Sequence, residues 1–423
     1  MESAPRTPTA EPEPPFSLFQ VYGLEIEYAV VRRDTFAVDP SADRLLEALE
    51  ADPAQGNVEA DNELAAHVVE LKARRPAVDL ASQARDFAAY ARTANRHLSA
   101  SGCRLLPGGM HPFMDPARES RIWPHEASAI YQTYDRLFGV RGHGWFNIQS
   151  THLNLPFSGD GEFARLHNAI SLLLPVLPAL AASSPVYEGA HHGWLSGRLS
   201  HYIGNQRRLP AIIGDIVPEP VGSEGEYRER ILEPMYRAIA PLDSEGLMQE
   251  EWLNSRAAIA RFSRGSIEIR CLDGQECPTA DLAICHWTSE VLRMLVDVGG
   301  DLLGRHRKLP EGMLKSVFLD AARLGMTASL PPEYPCSAFG VEAQPTIGAF
   351  LKAVTARAFP DRRVGADAAF MPHIGLILSQ GSLAERILRS SAEETSRLPK
   401  PSGYRAAYER LCDCLEADQA FTN

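Results

Sequence analysis

The chain contains no GxxxxGK[ST] stretch and no HRD or DFG motif, so neither a P-loop nor a protein-kinase phosphate site is encoded. Cysteine is sparse. The seven thiols, at 103, 271, 277, 285, 336, 412 and 414, are odd in number and show no framework spacing. Cys271-x5-Cys277 and Cys412-x-Cys414 lack the paired spacing of a zinc site, and the pattern as a whole points to a reducing cytoplasm. Positive charge is also short, with 42 Lys and Arg against 54 Asp and Glu, a net charge of −12. Such a surface has no broad basic face for a phosphate backbone, so nucleic acid is not an expected partner. The longest uncharged apolar run, Ile170 to Val186, is broken by Pro175, Pro178 and Pro185. It falls short of the roughly 20 apolar residues of a membrane span and predicts a buried helix ending near Ala182–Pro185, with no membrane partner. Residues 1–16, rich in proline and acid and without an apolar segment, read as a disordered leader and not a signal peptide. No internal repeat and no Gly/Ser linker divides the rest, so residues 17–423 are expected to form one large domain with a helical C-terminal part.

Gly23 to Val31 alternates apolar and polar residues, the period of a strand. Leu24, Ile26 and Tyr28 point one way, and Gly23, Glu25 and Glu27 the other. Two carboxylates on one strand face repel each other. They belong either to a solvated outer face or to a site where a divalent cation neutralises them. Ser266 to Cys271 is a second strand of this kind, with Glu268 and Arg270 on one face. Val68, Glu70 and Lys72 share the face of a third, seven residues after Glu63. That odd offset sends Glu63 and Glu70 to opposite faces of a straight strand, so a shared site requires a bend between them. Phe146 to Leu155 alternates as well and carries Ser150, His152 and Asn154 together.

Helices are predicted over Arg44–Leu49, Asp79–Ser99 with a capping aspartate, Glu126–Phe138, Pro278–Leu303 and Tyr404–Ala420, and a short strand over Cys103–Pro107. The loop 108–113 holds His111, which is either structural or a ligand. Arg256, Arg261 and Arg264 crowd into nine residues, as a solvated patch or as bidentate clamps for phosphate.

Glu25, Glu27, Glu63, Glu70, His152 and Glu268 are hard donors suited to Mg²⁺, or to Mn²⁺, and arginines beside such ions suit a polyphosphate. Together they suggest phosphoryl transfer from ATP, where positioning and charge neutralisation dominate.

GLEIEY (23–28), ELAAHVVELK (63–72), GGMHPF (108–113), STHLNL (150–155), LPALAASSPVYEGAHHGWLSGR (177–198) and RFSRGSIEIRCLDGQECP (261–278) resemble, in order and spacing, the motif series of the glutamate–cysteine ligase and carboxylate-amine ligase family. Ser379 to Arg386 is similar to that family's C-terminal motif. The resemblance implies an α+β fold of the glutamine-synthetase-like catalytic type, a curved, mainly antiparallel sheet backed by helices. It also implies an ATP-dependent carbon–nitrogen ligase working through an acyl phosphate, in the type reaction on L-glutamate and L-cysteine to give γ-glutamylcysteine. By motif, Glu25, Glu27, Glu63, Glu70, His152 and Glu268 would be metal ligands. Arg270, Arg198 and Arg256 would be catalytic, and Arg261 and Arg264 would bind ATP. Relatives often carry His-x-His where this chain has Ser150 and His152. Two other readings stay open: the same chemistry on another carboxylate and amine, including a peptide or carrier protein, and a non-catalytic nucleotide-binding protein. A phosphagen-type kinase is supported by fold analogy alone. The partners implied are small-molecule carboxylate and amine substrates, and a homo-oligomer is compatible with the sequence.

Overall fold

A computed structural model describes residues 16–52, 56–298, 300–360, 365–395 and 402–422. Residues 1–15, and with them nearly all of the expected leader, lie outside the described residues.

Seven strands make the main sheet: β1 (Gly23–Arg32), β2 (Val58–Asn62), β3 (Val68–Ala73), β4 (Cys103–Leu106), β5 (Ser150–Pro156), and, after a two-residue hairpin β6 (Val186–Tyr187) and β7 (Ala190–His191), β8 (Ala258–Arg261) and β9 (Ser266–Asp273). The order is β2-β3-β1-β5-β9-β8, with β4 on the second half of β1, and every ladder is antiparallel. The alternation read in β1 holds. Leu24, Ile26 and Tyr28 are buried in the core on the helix-covered side, and the glutamates face the other way.

Helices back the sheet. Leu80–Ser99 starts on Asp79, whose carboxylate accepts from the N–H groups of Ala81 and Ser82, an N-cap as read. The apolar run beginning at Ile170 continues the helix Gly159–Leu173 and ends at Ala181. Gly159–Ala181 is the one helix among the described residues long and apolar enough to cross a membrane, and 89% of its apolar window is buried inside the protein. The long helix expected to reach Leu303 stops at Val298, and a separate helix runs from Leu302 to Arg307. The C-terminal helices Leu383–Thr395 and Ser402–Ala417 pack together, and Leu383, Ile387, Tyr408 and Leu411 share a core with Ala29, Val31 and Leu106 of β1 and β4. A fully buried Arg386–Glu276 ion pair at 2.8 Å ties them to the chain just after β9.

Two departures from the expected strands matter. Phe146 ends a short helix, so β5 begins only at Ser150. The ladder between β5 and β9 is irregular at His152: Thr151 pairs with Leu272 but Leu153 pairs with Ile269, so β9 spends Arg270 and Cys271 opposite one residue of β5. An extra residue there is a bulge, a device that re-aims side chains beside a site.

Candidate active site

Register assembles the acids. Glu27 of β1 lies directly across from Glu70 of β3, Glu25 across from His152 of β5, and Asn154 of β5 across from Glu268 of β9. Glu25, Glu27, Glu63, Glu70, His152 and Glu268 line one cavity of about 460 Å³. The parity problem for Glu63 dissolves because β2 ends at Asn62 and β3 begins at Val68, so Glu63 sits in the irregular connection and turns to the same side as Glu70.

His152 is the hub. Its Nδ1 lies 2.7 Å from Glu25 Oε2, and its Nε2 lies 2.9 Å from Ser150 Oγ and 4.0 Å from Glu27. Ser150 also donates its N–H (2.6 Å) and hydroxyl (2.9 Å) to Glu27 Oε2, so a hydroxyl orients that carboxylate where relatives often carry a second imidazole. Burial by itself would lower the His152 pKa, but the Glu25 hydrogen bond and the charges of Glu27, Glu25 and Glu268 lift it to about 8. Two sets of donor atoms, Glu25/His152/Glu268 and Glu27/Glu70/His152, each lie within 4.8 Å of one another. Burial and then the neighbouring carboxylates, Glu27 for Glu63 and Glu25 for Glu70, push Glu63 up to about 8 and Glu70 well above the usual carboxylate range. Hard donors that raise one another's pKa fit a divalent cation.

Across the cavity the buried carboxylate finds its counter-charge within the chain. Glu268 is 2% exposed. Burial opposes its charge, but Arg270, His152 and Arg261 overcome it and hold the carboxyl down at about 2. Arg270 donates Nε (3.0 Å) and Nη2 to Glu268 Oε1, and Arg261 donates Nη1 to Oε2 at 3.0 Å. Arg264 stands exposed at the rim, with no hydrogen bond or ion pair among the described residues.

Arg198 enters from the helix Gly197–Tyr202. Its Nε donates to Asp273 Oδ1 at 2.7 Å, and both terminal nitrogens reach the Arg270 carbonyl at 3.3 and 3.4 Å. Asp273 also accepts from Ser183 N, Ser184 Oγ and Ser196 Oγ. Gly197 permits this approach, since a Cβ there would lie 2.6 Å from the Ser184 carbonyl oxygen.

The structure does not bring Arg256 to the cavity. The expectation of a catalytic contact fails geometrically: its buried guanidinium is forked onto Glu219, and neither residue lines the cavity. His111 is structural. Its Nε2 meets the Phe36 carbonyl at 2.6 Å, and its Nδ1 accepts from the N–H groups of Phe113 and Met114.

Asp61, Lys72, Tyr131, Tyr134, Tyr202 and Trp252 also line the cavity and were not in the predicted set. Asp61 and Lys72 are recoverable from register, because Asp61 faces Glu70 and Lys72 faces Glu25. The aromatics come from helices and a 3-10 turn with no period marking them. Tyr134 and Trp252 stand 5.9 Å apart between ring centres, and Ala127, at the same wall, adopts a φ of +64°.

An antiparallel sheet with acids facing arginines across one cavity offers hard donors for a divalent cation beside guanidinium groups for a phosphate, and comparison with known proteins places the chain in a ligase family. The chain belongs to glutamate-cysteine ligase family 2, whose sequence model matches residues 21–402. An uncharacterized protein of Archaeoglobus fulgidus is 33% identical over 94% of this chain and 99% of its own length. A provisionally named glutamate–cysteine ligase 2-3 of Rubrobacter xylanophilus is 29% identical over 42% of this chain and 45% of its own. The fold is shared with a bifunctional glutathione synthetase from Pasteurella multocida (TM-score 0.58, 13% identity), with 93% of this chain covering 53% of that longer one.

Proposed function

We propose that this protein is a divalent-cation-dependent carboxylate-amine ligase acting on small molecules, with L-glutamate and L-cysteine as the first pair to test. The supporting observation is the single cavity in which a repelling acid floor faces a paired arginine wall. Glu25, Glu27, Glu63, Glu70, His152 and Glu268 would hold Mg²⁺ or Mn²⁺. Bound there, the cations would offset the charge of the ATP phosphates. Arg270 and Arg261, fixed by Glu268, present guanidinium planes to the phosphate being transferred. Arg264, unpaired at the rim, is free to meet a phosphate or the substrate's own carboxylate. Arg198 lines the cavity while Asp273 sets its plane.

A carboxylate oxygen attacks the terminal phosphorus of ATP and ADP leaves. The amine nitrogen then attacks the acyl carbon, the carbon–oxygen bond to phosphate breaks, and the nitrogen loses a proton. The wall of Tyr131, Tyr134, Tyr202 and Trp252 would keep water from the acyl phosphate. A second reading retains this chemistry and changes the carboxylate and amine pair.

The test is ADP release across paired carboxylates and amines, with product mass. Release that needs both glutamate and cysteine, and a product of γ-glutamylcysteine mass, supports the first reading. Release with a different pair supports the second, and no release with any pair sinks both.

A further inference from the structure

Arg256 is 3% exposed, and each nitrogen of its guanidinium is engaged away from the cavity. Nε donates to Glu219 Oε2 at 2.7 Å and Nη2 to Oε1 at 2.6 Å, a two-pronged fork. Nη1 donates to the side-chain oxygen of Asn254 at 3.1 Å and to the Ala211 carbonyl at 3.4 Å. Gly214 leaves room for this head group, since a Cβ there would lie 2.4 Å from Nη2. Asn254 is fully buried. Its side-chain oxygen also accepts from the Arg256 main-chain N–H, and its Nδ2 donates to the Tyr227 hydroxyl at 2.8 Å. Asn254 is thus pinned on both ends of its amide, and its main-chain carbonyl accepts from Arg270 Nη1 at 3.4 Å.

The Asn254 carbonyl is the anchor on Nη1. Nε and Nη2 both lean on Glu268 Oε1, and the Tyr202 side chain is a further hydrogen-bond partner of the guanidinium. We propose that Glu219 and Arg256 are positioning residues that fix Asn254, whose carbonyl sets the plane of the Arg270 guanidinium. The inference rests on Arg270 facing the transferring phosphate, as proposed above. Positioning errors of about 1 Å are enough to cost on the order of 10²-fold in rate. Lysine cannot replace Arg256, because an ammonium has no fork to span both oxygens of Glu219.

The first test needs no substrate. Protein labelled with ¹⁵N-arginine reports each Nε–H, and Arg270→Lys assigns the Arg270 signal. Glu219→Gln should shift or broaden that signal while leaving the signal of the distant, surface Arg33 in place. An Arg270 signal unmoved in Glu219→Gln overturns the proposal. Kinetics supply the second test. Glu219→Gln should lower kcat about tenfold with the KM for ATP within about twofold, and the same change should do almost nothing in an Arg270→Lys background. Equal losses in both backgrounds would mark general damage, and a raised KM with unchanged kcat would mark a substrate contact; either outcome overturns it. If wild-type protein releases no ADP with any pair, the ligase reading fails, while the arginine signal still decides this proposal.

Discussion

The two halves of the sheet face handle charge in opposite ways. On β1 and β3, Glu25, Glu27 and Glu70, joined by Glu63, confront one another with one imidazole and the rim Lys72 among them. On β8 and β9, Glu268 carries two arginines of its own and is held at about 2, where Glu63 is driven to about 8. The contrast separates what a ligand must supply from what the chain supplies itself. The first half is a set of donors short of positive charge; the second pairs one carboxylate with two guanidinium groups and is left net positive.

That contrast can be broken at several points. The largest effect is expected from Glu27→Gln, which keeps the shape and removes a charged donor held by Ser150. Turnover should fall on the order of 10²–10³-fold with the circular dichroism unchanged. Activity within twofold of wild type would remove Glu27 from the machinery.

Glu268→Gln comes next and should act on folding too, because it leaves Arg270 and Arg261 without their shared counter-charge. A loss of about 3 kcal/mol is expected in urea denaturation. An unshifted midpoint would mean that pairing Glu268 with its two arginines does not stabilise the fold.

Glu70→Gln should have the opposite sign in metal-free protein. It removes a carboxyl raised by burial and by Glu25, and the melting temperature should rise by roughly a degree or two. Protection by added Mg²⁺ should shrink in the same variant. A melting temperature below wild type would show that the acids do not oppose folding.

A pH-dependent effect lies behind the sheet. Asp281, buried by the core, is pushed up to about 8, although Thr151 and the Gln275 N–H both donate to it. A raised carboxyl contributes stability that is full below its unfolded value near 3.8 and is lost as pH rises toward 8. Asp281→Asn should therefore gain on wild type as pH climbs from 4 to 8. A constant gap between the two melting temperatures would argue against a protonated Asp281.

Much of the site was legible because strands have period two. In β1 the faces of Glu25 and Glu27 follow from alternation alone, and Glu268 and Arg270 follow the same rule in β9. Glu63 was visible as an acid but not as a neighbour of Glu70, because its direction depends on where β2 ends. Arg256 misled through proximity in sequence. It lies five residues before Arg261, yet its partner Glu219 is 37 residues away and on no strand, and nothing local announces that pairing.

By itself, the sequence determined most element types, the polar faces of β1 and β9 and the chemistry of the donors, because these are set by neighbours within a few residues. Only tertiary structure decided which faces meet. Register brought Glu27 to Glu70 and Glu25 to His152, the bulge opposite His152 placed Arg270, and a buried fork turned Arg256 away. Those outcomes depend on hydrogen bonds and ion pairs between residues far apart in the chain, which no local pattern encodes.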